Sequence, residues 1–300
     1  MTPASLPMVI DTDIGDDIDD ALALALAVNS PEVDLRGVSV VYGDVATRSR
    51  LARKLLATYD RADVPVATGC GAPLMGACPT HVPNQAVVLE EGETLPEPSP
   101  QRADDLIRRA ADEAGGRLVV VTIGAMTNMA LALLRDRRLA RRASLVLMGG
   151  MAGRHLAEWN IRCDPEAARI CFESGMPITM VGLDVTLECR MTAENVDAIR
   201  TWDTPPTDLL ARMIDAWRGT GDAGEKPKLP ILHDPLAVAV AFRPEIVTAE
   251  PRHVAVETRG EFTRAYTVTT QDGEPNTQVC LGVDSAGFLG LFMERLLQRG

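Results

Sequence analysis

The sequence predicts an α/β protein with a single open, mostly parallel sheet flanked by helices. Three observations carry that prediction. Short apolar runs of β character recur at residues 8–10, 35–42, 64–68, 119–123, 144–148 and 178–181. Helical patterns separate most of these runs, which is the alternation that builds parallel strands covered on both faces. Third, 300 residues with 46% hydrophobic content supply a large core, and no repeat or linker divides them. Residues 1–300 therefore read as one domain with a Rossmann-like sheet.

Taken in order, Met8-Val9-Ile10 opens the sheet, and the alternating Ala, Leu and Val of residues 21–28 read as a buried helix. The second strand, 35–42, ends in Gly43-Asp44 and is followed by a helix at 46–59 with basic residues on one face. After the third strand at 64–68, residues 69–100 break the pattern with six Pro, four Gly and two Cys. Irregular segments of that length are usually functional or mobile. A helix at 102–114 precedes the strand 119–123, which runs into Gly124-Ala125-Met126-Thr127-Asn128 and another helix. The strand 144–148 ends in Gly149-Gly150. Asp164 and Pro165 are an N-cap and a first helical position for a helix at 165–174, and 178–181 is again a strand. Beyond it come helices at 192–200 and 207–218 and a polar loop at 219–228. His233-Asp234-Pro235 opens an apolar helix at 236–242 with Asp234 as its expected cap. Short strands near 253–256 and 266–269 and a last helix from Ser285 complete the reading.

Composition narrows the function classes. The net charge of 30 − 42 = −12 argues against a nucleic-acid phosphate backbone as partner and favours a small polar or neutral substrate. Six cysteines without a CxxC pair read as free thiols in a reducing compartment. Residues 1–7 lack the basic and apolar regions of a secretory signal, and no run of about 18 apolar residues marks a membrane span. The expected location is the cytoplasm.

The chemistry concentrates in Asp11-Thr12-Asp13-Ile14-Gly15-Asp16-Asp17-Ile18-Asp19-Asp20, where six carboxylates lie between two apolar segments. A solvated acidic face, the blander reading, is rarely bracketed in this way. The cluster falls at the carboxyl end of the first strand, where open α/β sheets place their ligands. Carboxylates prefer hard divalent cations, so a metal site is expected there. An EF-hand is excluded, because its twelfth position would be Leu22 or Leu24 in place of a bidentate Glu. Asp44, residues 122–128 and Glu158-Trp159-Asn160 follow later strands and fall on the same sheet edge, within reach of His233-Asp234. Such a set activates water and holds a hydroxylated substrate. Among the other polar residues, His81 and His155 read as loop histidines, Arg154 as solvated and Trp159 as packing.

The chain resembles the nucleoside hydrolases, which cleave the N-glycosidic bond of ribonucleosides with water. The resemblance runs from residue 8 to about residue 240. It rests on Asp11-Thr12-Asp13…Asp19-Asp20-Ala21, Gly124-Ala125-Met126-Thr127-Asn128, Met148-Gly149-Gly150, Glu158-Trp159-Asn160…Asp164-Pro165-Glu166-Ala167-Ala168 and His233-Asp234. It implies the fold of that family and Ca²⁺ held by Asp13, Asp20, Asp234 and the Ile123 carbonyl. Asp13 is then also the general base toward the attacking water. Asp19, Glu158 and Asn160 hold the ribose hydroxyls, and His233 is the candidate general acid beside the leaving base. A homodimer or homotetramer is implied as well. The reaction is physically sound, since loss of the base builds oxocarbenium character that carboxylates stabilise.

The chain departs from the family pattern at four places. Asp16-Asp17 are extra residues, offering a further metal ligand or a shift of Asp13. Asp44, assigned to substrate binding, stands where many members have Asn, and a raised pKa is expected of it. Gly153-Arg154-His155-Leu156-Ala157 holds no Asn, and the segment around His81 lacks a His-Gly pair. Two other readings compete. A haloacid-dehalogenase-like Mg²⁺ phosphatase shares Asp-x-Asp after a first strand, but its late Lys would have to be Lys226 or Lys228 in a polar loop. A non-catalytic ribose- or nucleoside-binding protein would have no use for the intact Asp13, Asp20 and Asp234.

Overall fold

The computed structural model describes residues 5–219 and 228–298. Its nine strands are β1 (Leu6–Thr12), β2 (Val33–Val40), β3 (Val66–Thr68), β4 (Leu118–Thr122), β5 (Ala143–Met148), β6 (Ile178–Val181), β7 (Val247–Val256), β8 (Thr267–Thr270) and β9 (Thr277–Val283). They form one sheet in the order β3-β2-β1-β4-β5-β6-β9-β7-β8. Pairing is parallel from β3 across to β9, and antiparallel between β9 and β7 and between β7 and β8. The α/β class and the mostly parallel sheet are as the sequence predicts.

The helices are α1 (Asp19–Val28), α2 (Val45–Thr58), α3 (Ala103–Glu113), α4 (Thr127–Arg135), α5 (Trp159–Cys163), α6 (Pro165–Phe172), α7 (Leu183–Thr186), α8 (Ala193–Thr201), α9 (Pro205–Arg218), α10 (His233–Phe242) and α11 (Ser285–Leu296). They cover both faces of the sheet. Met8 and Ile10 of β1 join the core that holds α1, α2 and α10, while Val9 joins the opposite core with α3, α4 and α6. Alternate side chains of one strand thus feed two cores, which is why these strands are continuously apolar. α1 packs against α10. Residues Ala21–Ala27 of α1 and Leu236–Val240 of α10 are buried, as expected for helices enclosed on all sides.

The long irregular segment is held by polar anchors. The Cys70 amide donates to Asn128 Oδ1 at 2.9 Å, the Leu74 amide to Asp164 Oδ2 at 2.8 Å, and the Gln85 amide to the Gly15 carbonyl at 2.9 Å. The basic face read on the second helix has a purpose here. Lys54 Nζ lies 2.5 Å from Glu93 Oε2 and Arg53 Nη1 donates to the Pro96 carbonyl at 2.5 Å, so α2 pins the end of the segment.

Several expectations need correcting. β9 escaped the sequence reading because its burial does not alternate: Gln278 and Leu281 are exposed while Val279 and Cys280 are buried. α5 and α7 are too short to show helical periodicity. Asp234 does not cap its helix; α10 begins at His233 with Leu232 before it, and Asp234 sits inside the first turn. The polar loop expected at 219–228 lies at 220–227 outside the described residues. The six cysteines are free. No helix among the described residues is long and apolar enough to cross a membrane.

Candidate active site

The carboxyl ends of β1, β4 and β5 open into a cavity of about 660 Å³, the size of a small-molecule site. Asp13, Asp16, Asp17, Asp19, Asp20, Ile123, Glu158, Asn160, His233 and Asp234 all line it. Its floor is carboxylate. Asp19 and Asp20 stand in the first turn of α1 and Asp234 in the first turn of α10. Because these two helices pack together, their N-termini bring carboxylate oxygens of all three within 4.8 Å of one another. Helix N-termini favour such anions. Each is 3–4% exposed. Thr12 Oγ1 donates to Asp20 Oδ1 at 2.5 Å, and the Asp234 amide to Asp19 Oδ2 at 3.3 Å.

Burial and then repulsion from neighbouring acids hold all three carboxyls well above the usual range. Three buried acids sharing one space ionise together only when a cation joins them. The donors are all oxygen, which suits a hard divalent ion. Asp13 and Ile123 line the same cavity, and the Asp13 carboxylate stands outside this trio.

Asp13 lies against Gly124. Its carboxyl is raised to about 6 by burial, with Arg48 pulling it down and Asp16 pushing it up. Asp11, two residues earlier, is not among the residues that line the cavity. It accepts from Ser39 Oγ at 2.5 Å and Asn128 Nδ2 at 2.8 Å, and burial pushes it up to about 7. Asn128 therefore serves the scaffold, since it also donates to the Val40 carbonyl.

Glu158 caps α5. Its Oε1 accepts from the Asn160 amide at 2.9 Å and its Oε2 from the Gly150 and Ile161 amides at 3.0 and 3.2 Å. Burial raises its pKa, and these backbone donors work against the rise. Asn160 Nδ2 donates to the Ile123 and Met148 carbonyls at 3.2 and 3.1 Å. With the amino group so occupied, Oδ1 is the remaining polar atom of that side chain. His233 Nδ1 lies 2.7 Å from Thr186 Oγ1, leaving Nε2 as the other ring nitrogen. Burial first, then Arg190, lowers this imidazole to about 4, so it is neutral at pH 7.

Three residues stand otherwise than expected. Asp44 is not among the lining residues. It caps α2, accepting from the Thr47 amide at 3.0 Å and the Thr47 hydroxyl at 2.7 Å, and those bonds lower its pKa where a rise was expected. Asp16 does not join the metal-competent trio; its carboxylate bonds to Arg48 and His81. Trp159 is 57% exposed on the cavity wall, where packing was expected. His155, as expected, stays on the surface, stacked on Tyr266.

Sequence reasoning also missed residues. Arg48, Tyr42 and Asn84 line the cavity. Arg48 is 3% exposed, yet its neighbours in sequence, Arg50, Arg53 and Lys54, offer no signal that sets it apart. Tyr42 has φ of 65°, a left-handed conformation that is costly for a bulky residue and concentrates at functional sites.

Comparison with known proteins agrees with this geometry. Residues 8–290 match the model of the inosine-uridine preferring nucleoside hydrolase family. The pyrimidine-specific ribonucleoside hydrolase RihA of Salmonella agona is 35% identical over 315 residues, covering 97% of this chain and 98% of that protein. The RihA of an Enterobacter species is 36% identical over 311 residues, covering 98% of each. Among solved structures, a purine-preferring ribonucleoside hydrolase from Gardnerella vaginalis superposes with a TM-score of 0.85 at 32% identity, over 97% of this chain and 98% of that one. The plant nucleoside hydrolase PpNRh1 gives a TM-score of 0.89 at 26% identity, over 99% of this chain and 100% of that one. With its sheet, its acidic cavity and the match along nearly its whole length in agreement, this chain belongs to the inosine-uridine preferring nucleoside hydrolase family.

Proposed function

We propose that the protein is a Ca²⁺-dependent N-ribohydrolase that converts ribonucleosides and water to free base and ribose. The observation that carries this reading is the convergence of Asp19, Asp20 and Asp234 beside Asp13 in one cavity. Asp20 and Asp234 would hold the ion, with Asp13 and the Ile123 carbonyl completing an oxygen shell. The chemistry a bound Ca²⁺ supplies is Lewis acidity, which makes a water easier to deprotonate and orients it.

The chain's own residues account for the rest. Asp13, with a carboxyl near 6, is ionised at pH 7 and accepts the water proton as general base. The water oxygen bonds to the anomeric carbon as the bond from that carbon to the base nitrogen breaks. The floor carboxylates stabilise the positive charge that develops on the ribose. Asp19 and the Asn160 Oδ1 accept hydrogen bonds from the ribose hydroxyls, while Glu158 holds the α5 turn that presents Asn160. His233, neutral at pH 7, donates a hydrogen bond from Nε2 to the departing base. Arg48 is the only Arg or Lys among the described lining residues. Four of its five N–H donors are committed to Asp13, Ile14, Tyr42 and Asp16, which leaves little to clamp a phosphate. Nucleosides, rather than nucleotides, are therefore the expected substrates.

A panel of purine and pyrimidine nucleosides and their 5′-phosphates, assayed for free ribose alongside metal analysis, tests this reading. Ribose release from nucleosides by a calcium-loaded protein is expected. A protein that takes up no divalent ion, or releases ribose from none of the panel, overturns it. Asp13→Asn is expected to lower kcat by at least about 10³-fold with fold and bound calcium retained. Turnover like the wild type would remove Asp13 from the reaction.

A further inference from the structure

Asp16 is one of the two residues by which the acidic turn exceeds the simpler family pattern, and its carboxylate joins two elements. Oδ1 lies 2.5 Å from His81 Nε2 and accepts from the Asn84 amide at 3.4 Å, both in the long irregular segment. Oδ2 accepts from Arg48 Nη2 of α2 at 2.9 Å. The rest of the Arg48 guanidinium donates to the backbone carbonyls of Asp13, Ile14 and Tyr42. A continuous hydrogen-bonded path thus runs from His81 through one carboxylate and one guanidinium to the main chain of Asp13. Asp16, Arg48, His81 and Asn84 all line the cavity.

The segment needs such a tether. Residues 75–78 and 80–82 are exposed, including Met75 at 65% and Val82 at 58%, so apolar burial does not hold them. The acid floor is buried whereas the His81 side chain is 56% exposed. On the nucleoside reading, a ribose held at the floor would direct its base toward the rim, where His81 is exposed.

We propose that Asp16 is a positioning residue for nucleoside hydrolysis. It seats the His81 segment over the mouth of the cavity and ties that seating to the Arg48 contact that fixes Asp13. Both carboxylate oxygens are used, one for each task. The inference rests on the nucleoside hydrolase reading, but the link itself is measurable without turnover.

The test combines hydrogen exchange on residues 75–84 with nucleoside kinetics for Asp16→Asn, His81→Ala, His81→Gln and the double variant Asp16→Asn/His81→Ala. Both Asp16→Asn and His81→Ala are expected to speed exchange by at least about 10-fold and to raise KM by a similar factor. Asp16→Asn should also lower kcat, because the Arg48 arm is weakened; His81→Ala should leave kcat within about 3-fold. His81→Gln keeps an amide donor for Asp16 and should restore slow exchange. The double variant should match Asp16→Asn alone in KM, because both changes cut one link. Wild-type exchange in His81→Ala, or KM losses that multiply in the double variant, would overturn the proposal. If Asp16→Asn fails to fold, the two His81 variants decide. A wild-type protein that splits no nucleoside defeats the functional reading, while the exchange comparison still decides whether the link exists.

Discussion

The Asp13 carboxylate packs directly on Gly124: a Cβ added at residue 124 would stand 2.7 Å from Asp13 Oδ1 and 3.0 Å from its Cγ. The glycine after β4 thus leaves the space that the proposed general base occupies, and the two residues follow the ends of neighbouring parallel strands. Gly124→Ala is expected to displace that carboxylate and lower kcat by about 10²-fold, the scale of a misplacement near 1 Å. Thermal unfolding should change little by comparison. Unchanged kcat would show that the side chain at 13 does not need this place.

His233 tests the leaving-group end of the cavity. Its neutral imidazole sits between Thr186 and the substrate space. His233→Ala should slow nucleosides about 10²-fold while leaving a nitrophenyl riboside within a few-fold, since that phenolate departs without help. Equal losses on both substrates would remove His233 from departure of the base.

Calcium should act on stability as well as on rate. The folded trio of Asp19, Asp20 and Asp234 is crowded without a cation, whereas the unfolded chain has no such site. Saturation at about 100 times Kd stabilises the folded state by about 2.7 kcal/mol. Chelation should therefore lower Tm, and calcium should restore it. In Asp234→Asn the calcium-dependent rise in Tm is expected to shrink or vanish. A full rise in that variant would place the ion elsewhere.

Asp104 gives a pH-dependent outcome remote from the cavity. Burial alone would raise its carboxyl, but hydrogen bonds from Arg135 and Arg102 outweigh that and hold it below the usual value. A lowered folded pKa contributes stability above the unfolded Asp value of about 3.9, and that contribution is lost as pH falls through the folded value. Asp104→Asn is expected to cost about 1–3 kcal/mol at pH 7. Its Tm should converge with the wild type as pH falls through the folded value. A gap that stays constant with pH would mean that the charge is not what stabilises.

Local pattern was enough for the alternation of strands and helices, because both faces of the sheet are buried. Met8, Val9 and Ile10 must all be apolar when they feed two cores. The acidic run was equally visible, since a dense block of carboxylates between apolar segments has few structural uses. Tertiary structure decided what each carboxylate does. Asp16, Asp19 and Asp44 look alike in sequence; one bonds to Arg48 and His81, one joins the metal-competent trio and one caps a helix. The partners that separate them lie 32 residues away in Arg48, 215 away in Asp234 and 3 away in Thr47. A carboxylate's role depends on its surroundings in space, and those surroundings exist only once α1, α2 and α10 have packed around the sheet.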